Sequence, residues 1–212
     1  MVRFELDEMS NPRRIGLLGG SFNPAHEGHL HISLEALKRL KLDAVWWLVS
    51  PQNPLKKSSD LADYALRFES AAALAHHPRI QVLNVEAKQQ LRYSIDTIRF
   101  LQAHHRHTQF VWLMGADNLA GFHRWRKWRE IAARLPVAVL DRAPYGLKAL
   151  HGHFATAAKA ARLPSCAARM LATGGCGWTY LTIPRHPLSA TFLRKTLGTK
   201  AFLRHSKTAS TS

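Results

Sequence analysis

The stretch Ile15-Gly16-Leu17-Leu18-Gly19-Gly20-Ser21-Phe22-Asn23-Pro24-Ala25-His26-Glu27-Gly28-His29-Leu30 decides how this chain is read. A short apolar run of strand length leads into a glycine pair, and the loop closes on a helix-length amphipathic segment. Continuous apolar runs suit parallel strands buried on both faces. The alternation repeats downstream. Candidate strands cover residues 15–18, 44–49, 80–85, 110–114, 137–140 and 179–183. Candidate helices cover 27–40, 63–75, 94–104, 125–133, 155–171 and 190–197. Helical spacing puts Leu30, Leu34, Leu37 and Lys41 near one face of the first, and Leu66, Ser70 and Ala73 together on the second. Strand–helix alternation predicts a single α/β domain, an open parallel sheet with right-handed crossovers and helices on both faces. In such sheets ligands bind beyond the carboxyl ends of the strands, so the chemistry belongs in the loops after each strand.

Composition bounds the answer. The chain has 212 residues, enough for one large domain, with 46% hydrophobic and 21% charged residues. That balance excludes a disordered chain. Two cysteines, Cys166 and Cys176, exclude a disulfide scaffold, and they read as structural. No stretch approaches the roughly 20 apolar residues of a membrane span. The N-terminal residues carry Glu5, Asp7 and Glu8 and lack the apolar core of a secretory signal, which makes the cytoplasm the expected compartment. Residues 1–12 read as a flexible arm, 13–200 as the domain and 201–212 as a polar tail.

The formal net charge is +16, and residues 142–212 hold eleven basic residues and no acidic one. A field of this sign favours anionic partners without choosing among nucleotides, nucleic acid and membrane surfaces.

The loop after the first strand is more selective. Gly19 and Gly20 let backbone N–H groups approach an anion, and the helix that follows presents a positive dipole end. His26 and His29, three apart, share a side of its first turn. The loop is neither a P-loop nor a Gly-x-Gly-x-x-Gly fingerprint. A glycine turn with two capping histidines is the purely structural alternative.

Gly-Gly-Ser-Phe-Asn-Pro-x-His-x-Gly-His resembles the signature of the adenylyltransferases that carry a His-x-Gly-His motif. Within them, residues 15–197 look most like the bacterial nicotinate-nucleotide adenylyltransferases. The resemblance implies a Rossmann-like fold. It also implies transfer of the adenylyl group of ATP to nicotinate mononucleotide, with deamido-NAD and pyrophosphate as products. The residue roles it implies are expectations. Gly19, Gly20, Ser21, Phe22, His26 and His29 would bind ATP, with both histidines catalytic. Asn23 would contact the nicotinate nucleotide.

Further segments join them. Lys56, in Ser50-Pro51-Gln52-Asn53-Pro54-Leu55-Lys56-Lys57, would reach the polyphosphate as a point charge; alone it reads as a solvated basic turn. Ser94, read as the N-cap of the third candidate helix, and Tyr93 would hold the nicotinate carboxylate partly through backbone N–H groups. In Met114-Gly115-Ala116-Asp117, Gly115 and Asp117 would bind ATP, the carboxylate holding ribose hydroxyls. Trp125 would stack on the cationic pyridine ring, leaving Trp128 in the core. Arg142 would face the nicotinate nucleotide, although the chain reads Arg142-Ala143-Pro144 where the family often has Arg-Pro-Gly. Ser189, Thr191 and Arg194, in Leu188-Ser189-Ala190-Thr191-Phe192-Leu193-Arg194, resemble the second signature, an anion site for the β- and γ-phosphates, with Arg194 catalytic.

His104, His105 and His107 read as surface residues, and no side-chain set has metal-ligand spacing. Mg²⁺ is expected with ATP, held by phosphates and water. ATP and nicotinate mononucleotide are the expected partners; nucleic acid and membrane are not, and monomer and homo-oligomer stay open. Two alternatives stand beside this reading. One is the same transfer to nicotinamide mononucleotide or phosphopantetheine. The other is a basic nucleic-acid-binding module with a relic nucleotide site, which charge alone supports.

Overall fold

In the computed structural model, residues 13–52, 61–141, 150–173 and 177–184 are described. Seven parallel strands form one sheet: β1 (Arg13–Gly20), β2 (Ala44–Val49), β3 (Ile80–Leu83), β4 (Thr108–Gly115), β5 (Val137–Leu140), β6 (Arg162–Leu163) and β7 (Trp178–Leu181). Their order is β3-β2-β1-β4-β5-β7-β6. Chain connections leave β1 towards β2 and leave β4 towards β5, so the direction of winding reverses between β1 and β4. That reversal opens a crevice at the strands' carboxyl ends, where α/β sheets bind ligands.

The helices are α1 (Glu27–Leu40), α2 (Tyr64–Leu74), α3 (Val85–Lys88), α4 (Ser94–His104), α5 (Ala116–Gly121), α6 (Trp128–Arg134) and α7 (His153–Ala157). Side chains alternate across the sheet because successive Cβ atoms point to opposite faces. Val45, Trp47 and Val49 join Val111 and Leu113 in a core with α1 and α2. Trp46 and Leu48 join Phe110, Trp112 and Met114 in a second core with α4 to α7. A three-layer α/β domain results, as the alternation predicts. Glu130 on α6 accepts from Arg134 and Arg99, tying α6 to α4; those bonds hold its carboxyl down at about 2.

Several expectations are corrected. The helix expected over 155–171 is broken into α7, two 3-10 segments (Lys159–Ala161 and Ser165–Thr173) and β6. Pro164 explains this: it has no N–H, and its ring clashes with the carbonyl four residues earlier in a helix. The helix expected over 125–133 begins at Trp128, with Lys127 in the left-handed region at φ 54. On α1 the buried set is Gly28, Leu30, Ile32, Ser33, Ala36, Leu37 and Leu40, whereas Leu34 and Lys41 are exposed. On α2, Leu66 and Ala73 face solvent, and Arg67, Ser70 and Ala71 face inward. Cys166 is exposed and free. His105 is half-buried against Trp46 and Phe110, and burial lowers its pKa. The N-terminal arm, Cys176, the helix expected over 190–197 and the C-terminal tail lie outside the described residues.

Candidate active site

Two helix starts and one strand end meet at the crevice. The first start follows β1. A Cβ on Gly19 would stand 2.9 Å from Cη2 of Trp112, so glycine is what lets β1 lie against that indole. Phe22 then adopts φ 45. The left-handed region costs a non-glycine residue roughly 1–2 kcal/mol, which burial of a whole phenyl ring offsets. That ring stacks 5.1 Å from Trp47 and lies 4.7 Å from His29.

His26 is the N-cap of α1, and its Nδ1 accepts from the N–H of Gly28 at 3.1 Å. His29, at the third helical position, accepts on its own Nδ1 from the N–H of His26 at 3.2 Å. The pair forms a reciprocal capping box with imidazoles in place of the usual Ser and Glu. The sequence posed capping and anion binding as alternatives, but the geometry makes them compatible. A neutral imidazole that accepts at Nδ1 carries its proton on Nε2. Each ring therefore takes up a backbone donor at one nitrogen and offers a donor at the other. The rings lie 4.0 Å apart, His26 is buried and His29 half-buried. The first turn is fixed from behind: Trp47 Nε1 donates to Ser33 Oγ, which donates to the His29 carbonyl, both at 2.8 Å.

The second helix start is α4. Its N-cap is Tyr93, not Ser94, because Tyr93 keeps an extended backbone (φ −123, ψ 144) and Ser94 is already helical. No side chain among the described residues caps it. Among the described residues, the N–H groups of Ser94 and Ile95 have no hydrogen-bond partner. The hydroxyl of Thr97 donates instead to Glu86 Oε1 at 3.0 Å. Burial pushes the Glu86 carboxyl up to about 7, against the opposing hydrogen bonds from Thr97 and Ser50. The Arg126 guanidinium lies 4.5 Å from the Tyr93 ring centre, which brings the turn carrying Trp125 against α4. Trp125 is half-buried and makes edge contacts with Trp112 and Phe122. Trp128, expected in the core, is half-buried beside His153 and Phe154, with Arg129 over its ring.

The strand end is β4. Gly115 closes the strand and is the N-cap of α5; Asp117 is the second helical residue and half-buried. The structure thus brings Gly19, Gly20, Ser21, Phe22, His26 and His29 into one loop beside Gly115. Tyr93 and Ser94 stand at the start of α4, and Arg126, next to Trp125 in the chain, reaches the Tyr93 ring. Asn23 is buried, and its Oδ1 accepts from the N–H of Ala62 at 3.1 Å. Lys56, Arg142, Ser189, Thr191 and Arg194 lie outside the described residues.

Among the buried charged residues, Arg67 and Glu86 escaped the sequence reading. Arg67 had a signal: shifting the α2 face by one residue aligns it with Ser70, Ala71 and Leu74. Glu86 had none. Among the described residues, no group of three or more His, Cys, Asp or Glu side chains could hold a metal ion, and no helix is long and apolar enough to cross a membrane.

Comparison with known proteins adds three findings. The family model for cytidylyltransferase-like proteins matches residues 17–196. A probable nicotinate-nucleotide adenylyltransferase of a Bradyrhizobium species is 50% identical over 85% of this chain and 95% of its own. One of Methylorubrum extorquens is 51% identical over 85% and 98%. Among solved structures, the nicotinic acid mononucleotide adenylyltransferase of Plasmodium falciparum, complexed with NaAD, superposes with a TM-score of 0.65. It is 14% identical and is matched over 92% of this chain and 89% of its own, a likeness of fold.

Proposed function

The chain belongs to the cytidylyltransferase-like family, and from that premise we infer that it transfers the adenylyl group of ATP to nicotinate mononucleotide, a step of NAD biosynthesis. The products are deamido-NAD and pyrophosphate. We propose the following division of labour. The 5′-phosphate of nicotinate mononucleotide attacks the α-phosphorus of ATP in line, and pyrophosphate leaves from the opposite side. No protein nucleophile is needed, so the site's work is positioning and charge stabilisation.

The observation that carries this reading is the reciprocal imidazole cap on α1. It supports His26 and His29 as neutral Nε2–H donors to phosphate oxygens, held by the backbone without side-chain entropy left to lose. Preorganised donors of this kind act where charge develops. Gly19, Gly20, Ser21 and Phe22 line the triphosphate, and Gly115 and Asp117 sit at the nucleoside. Lys56, Ser189, Thr191 and Arg194 complete the phosphate site in this proposal. The α4 start suits a carboxylate better than an amide, because its two N–H groups, unpartnered among the described residues, are donors at a positive dipole end. Trp125 stacks on the pyridinium beside it, Asn23 contributes from the β1 side, and Arg142 contacts the same nucleotide.

Imidazoles and backbone N–H groups suit phosphate oxygens rather than a hard cation. The proposal therefore has Mg²⁺ bound to the triphosphate and water, where its charge offsets that of the phosphates. The test is pyrophosphate release with Mg²⁺ and ATP, offering nicotinate mononucleotide, nicotinamide mononucleotide and phosphopantetheine in parallel. The expected result is release with the nicotinate form at least tenfold above the others. Equal rates with the amide would remove the carboxylate role of α4.

A further inference from the structure

Arg67 is 1% exposed, and among the described residues it makes no ion pair. Its guanidinium is spent on backbone carbonyls. Nε donates to Ala62 (3.0 Å), Nη1 to both Ser21 (2.6 Å) and Ser50 (2.7 Å), and Nη2 to Pro51 (2.8 Å). Four of five donors thus join three segments: the loop after β1, the loop after β2 and the approach to α2. Burying a charge this way is costly, and burial lowers its pKa. An apolar side chain could fill that volume but would leave these four carbonyls without the donors that fix where they point.

One acceptor gives the arrangement a purpose. In a trans peptide the carbonyl and the following N–H point in opposite directions. Holding the Ser21 carbonyl on Arg67 turns the Phe22 N–H away from the buried layer. That N–H has no hydrogen-bond partner among the described residues. The same loop is held laterally by Ser50 N–H donating to the Gly20 carbonyl (2.9 Å) and Ala62 N–H donating to Asn23 Oδ1 (3.1 Å). We propose that Arg67 is a positioning residue for adenylyl transfer: its guanidinium fixes the Ser21–Phe22 peptide plane, and with it the phosphate-facing donors of the loop after β1. The inference rests on the reading of the Gly19–His29 loop as the triphosphate site.

The test is Arg67→Lys, because one ammonium cannot span carbonyls that a planar fork reaches together. The expected result is a folded protein by circular dichroism with KM for ATP raised at least tenfold, kcat lowered at least tenfold, and KM for nicotinate mononucleotide within twofold of the parent. A merely structural defect would reduce the active fraction and leave both KM values alone. Arg67→Gln, which keeps two N–H donors, serves if the lysine variant does not fold. Failure of both to fold assigns Arg67 to the fold as a whole and overturns the proposal, as do unchanged KM for ATP and kcat in a folded variant. His29→Gln separates the premise from the inference. If it is harmless, the loop reading falls; if it is damaging while Arg67→Lys is normal, only the positioning role falls.

Discussion

The starts of α1 and α4 stand at the same edge of the sheet, yet they are finished in opposite ways. At α1, the His26 ring accepts from the Gly28 N–H and the His29 ring from the His26 N–H, so the helix presents ring donors. At α4, no side chain among the described residues caps the helix, and none of them meets the Ser94 and Ile95 N–H groups. The difference teaches how one dipole end can be adapted to two anions. Ring donors extend farther from the helix and suit phosphate groups passing over it. Bare N–H groups are short, fixed and paired, which suits a flat carboxylate resting on the helix end.

The contrast breaks most sharply at His29. His29→Gln keeps a third-position cap, since Gln at that position completes a capping box, but removes the ring donor. Turnover is expected to fall by roughly 10²–10³-fold, as for loss of one preorganised donor, with the thermal midpoint little changed. Steady-state kinetics beside a melting curve checks this; normal turnover would make the imidazoles caps and nothing more.

Next is Glu86, which bonds Thr97 in the first turn of α4. Its carboxyl titrates at about 7 in the fold and near 4.5 when unfolded. The native state therefore binds more protons between these values, and stability falls as pH rises from about 4.5 to 7. The full effect is up to about 3 kcal/mol. Glu86→Gln is expected to remove that slope, read from denaturant midpoints across the range. A slope equal to the parent's would assign it to other groups.

At the open start, Ser94→Pro deletes one N–H at the first helical position, where proline is well tolerated. The extended Tyr93 before it already has the backbone a pre-proline residue prefers. KM for nicotinate mononucleotide is expected to rise roughly tenfold, the worth of one hydrogen bond to a charged group, while KM for nicotinamide mononucleotide stays put. A parallel rise in both would assign the loss to helix geometry.

The smallest effect belongs to Trp125→Leu. Losing a half-exposed cation–π contact of roughly 0.5–1 kcal/mol predicts a KM for nicotinate mononucleotide raised a fewfold, with KM for ATP unchanged in the same assay. A larger shift in KM for ATP would move the indole to the other substrate.

Much of the fold was legible. The bounds of α1, β2, α4 and β5 coincide with those read from periodicity and apolar runs, because each is long, regular or flanked by clear stops. The 155–171 segment misled because its alanine-rich composition favours helix locally, while Pro164 forbids one helix through it. The faces of α1 and α2 were misjudged for a related reason. Leucines were assumed to point inward, but the sheet selected Ser33 and Arg67, each of which finds hydrogen-bond partners there.

The sequence alone determined the strand–helix alternation through β5, the loop that carries the signature and its family, since these depend on residues near one another along the chain. Only the tertiary structure decided that Arg67 and Glu86 are buried, that Tyr93 rather than Ser94 is the N-cap of α4, and that Arg126 lies over the Tyr93 ring. Each of these is a contact between segments far apart in sequence. Its energy depends on what surrounds the group after the sheet has closed, and no local spacing encodes that.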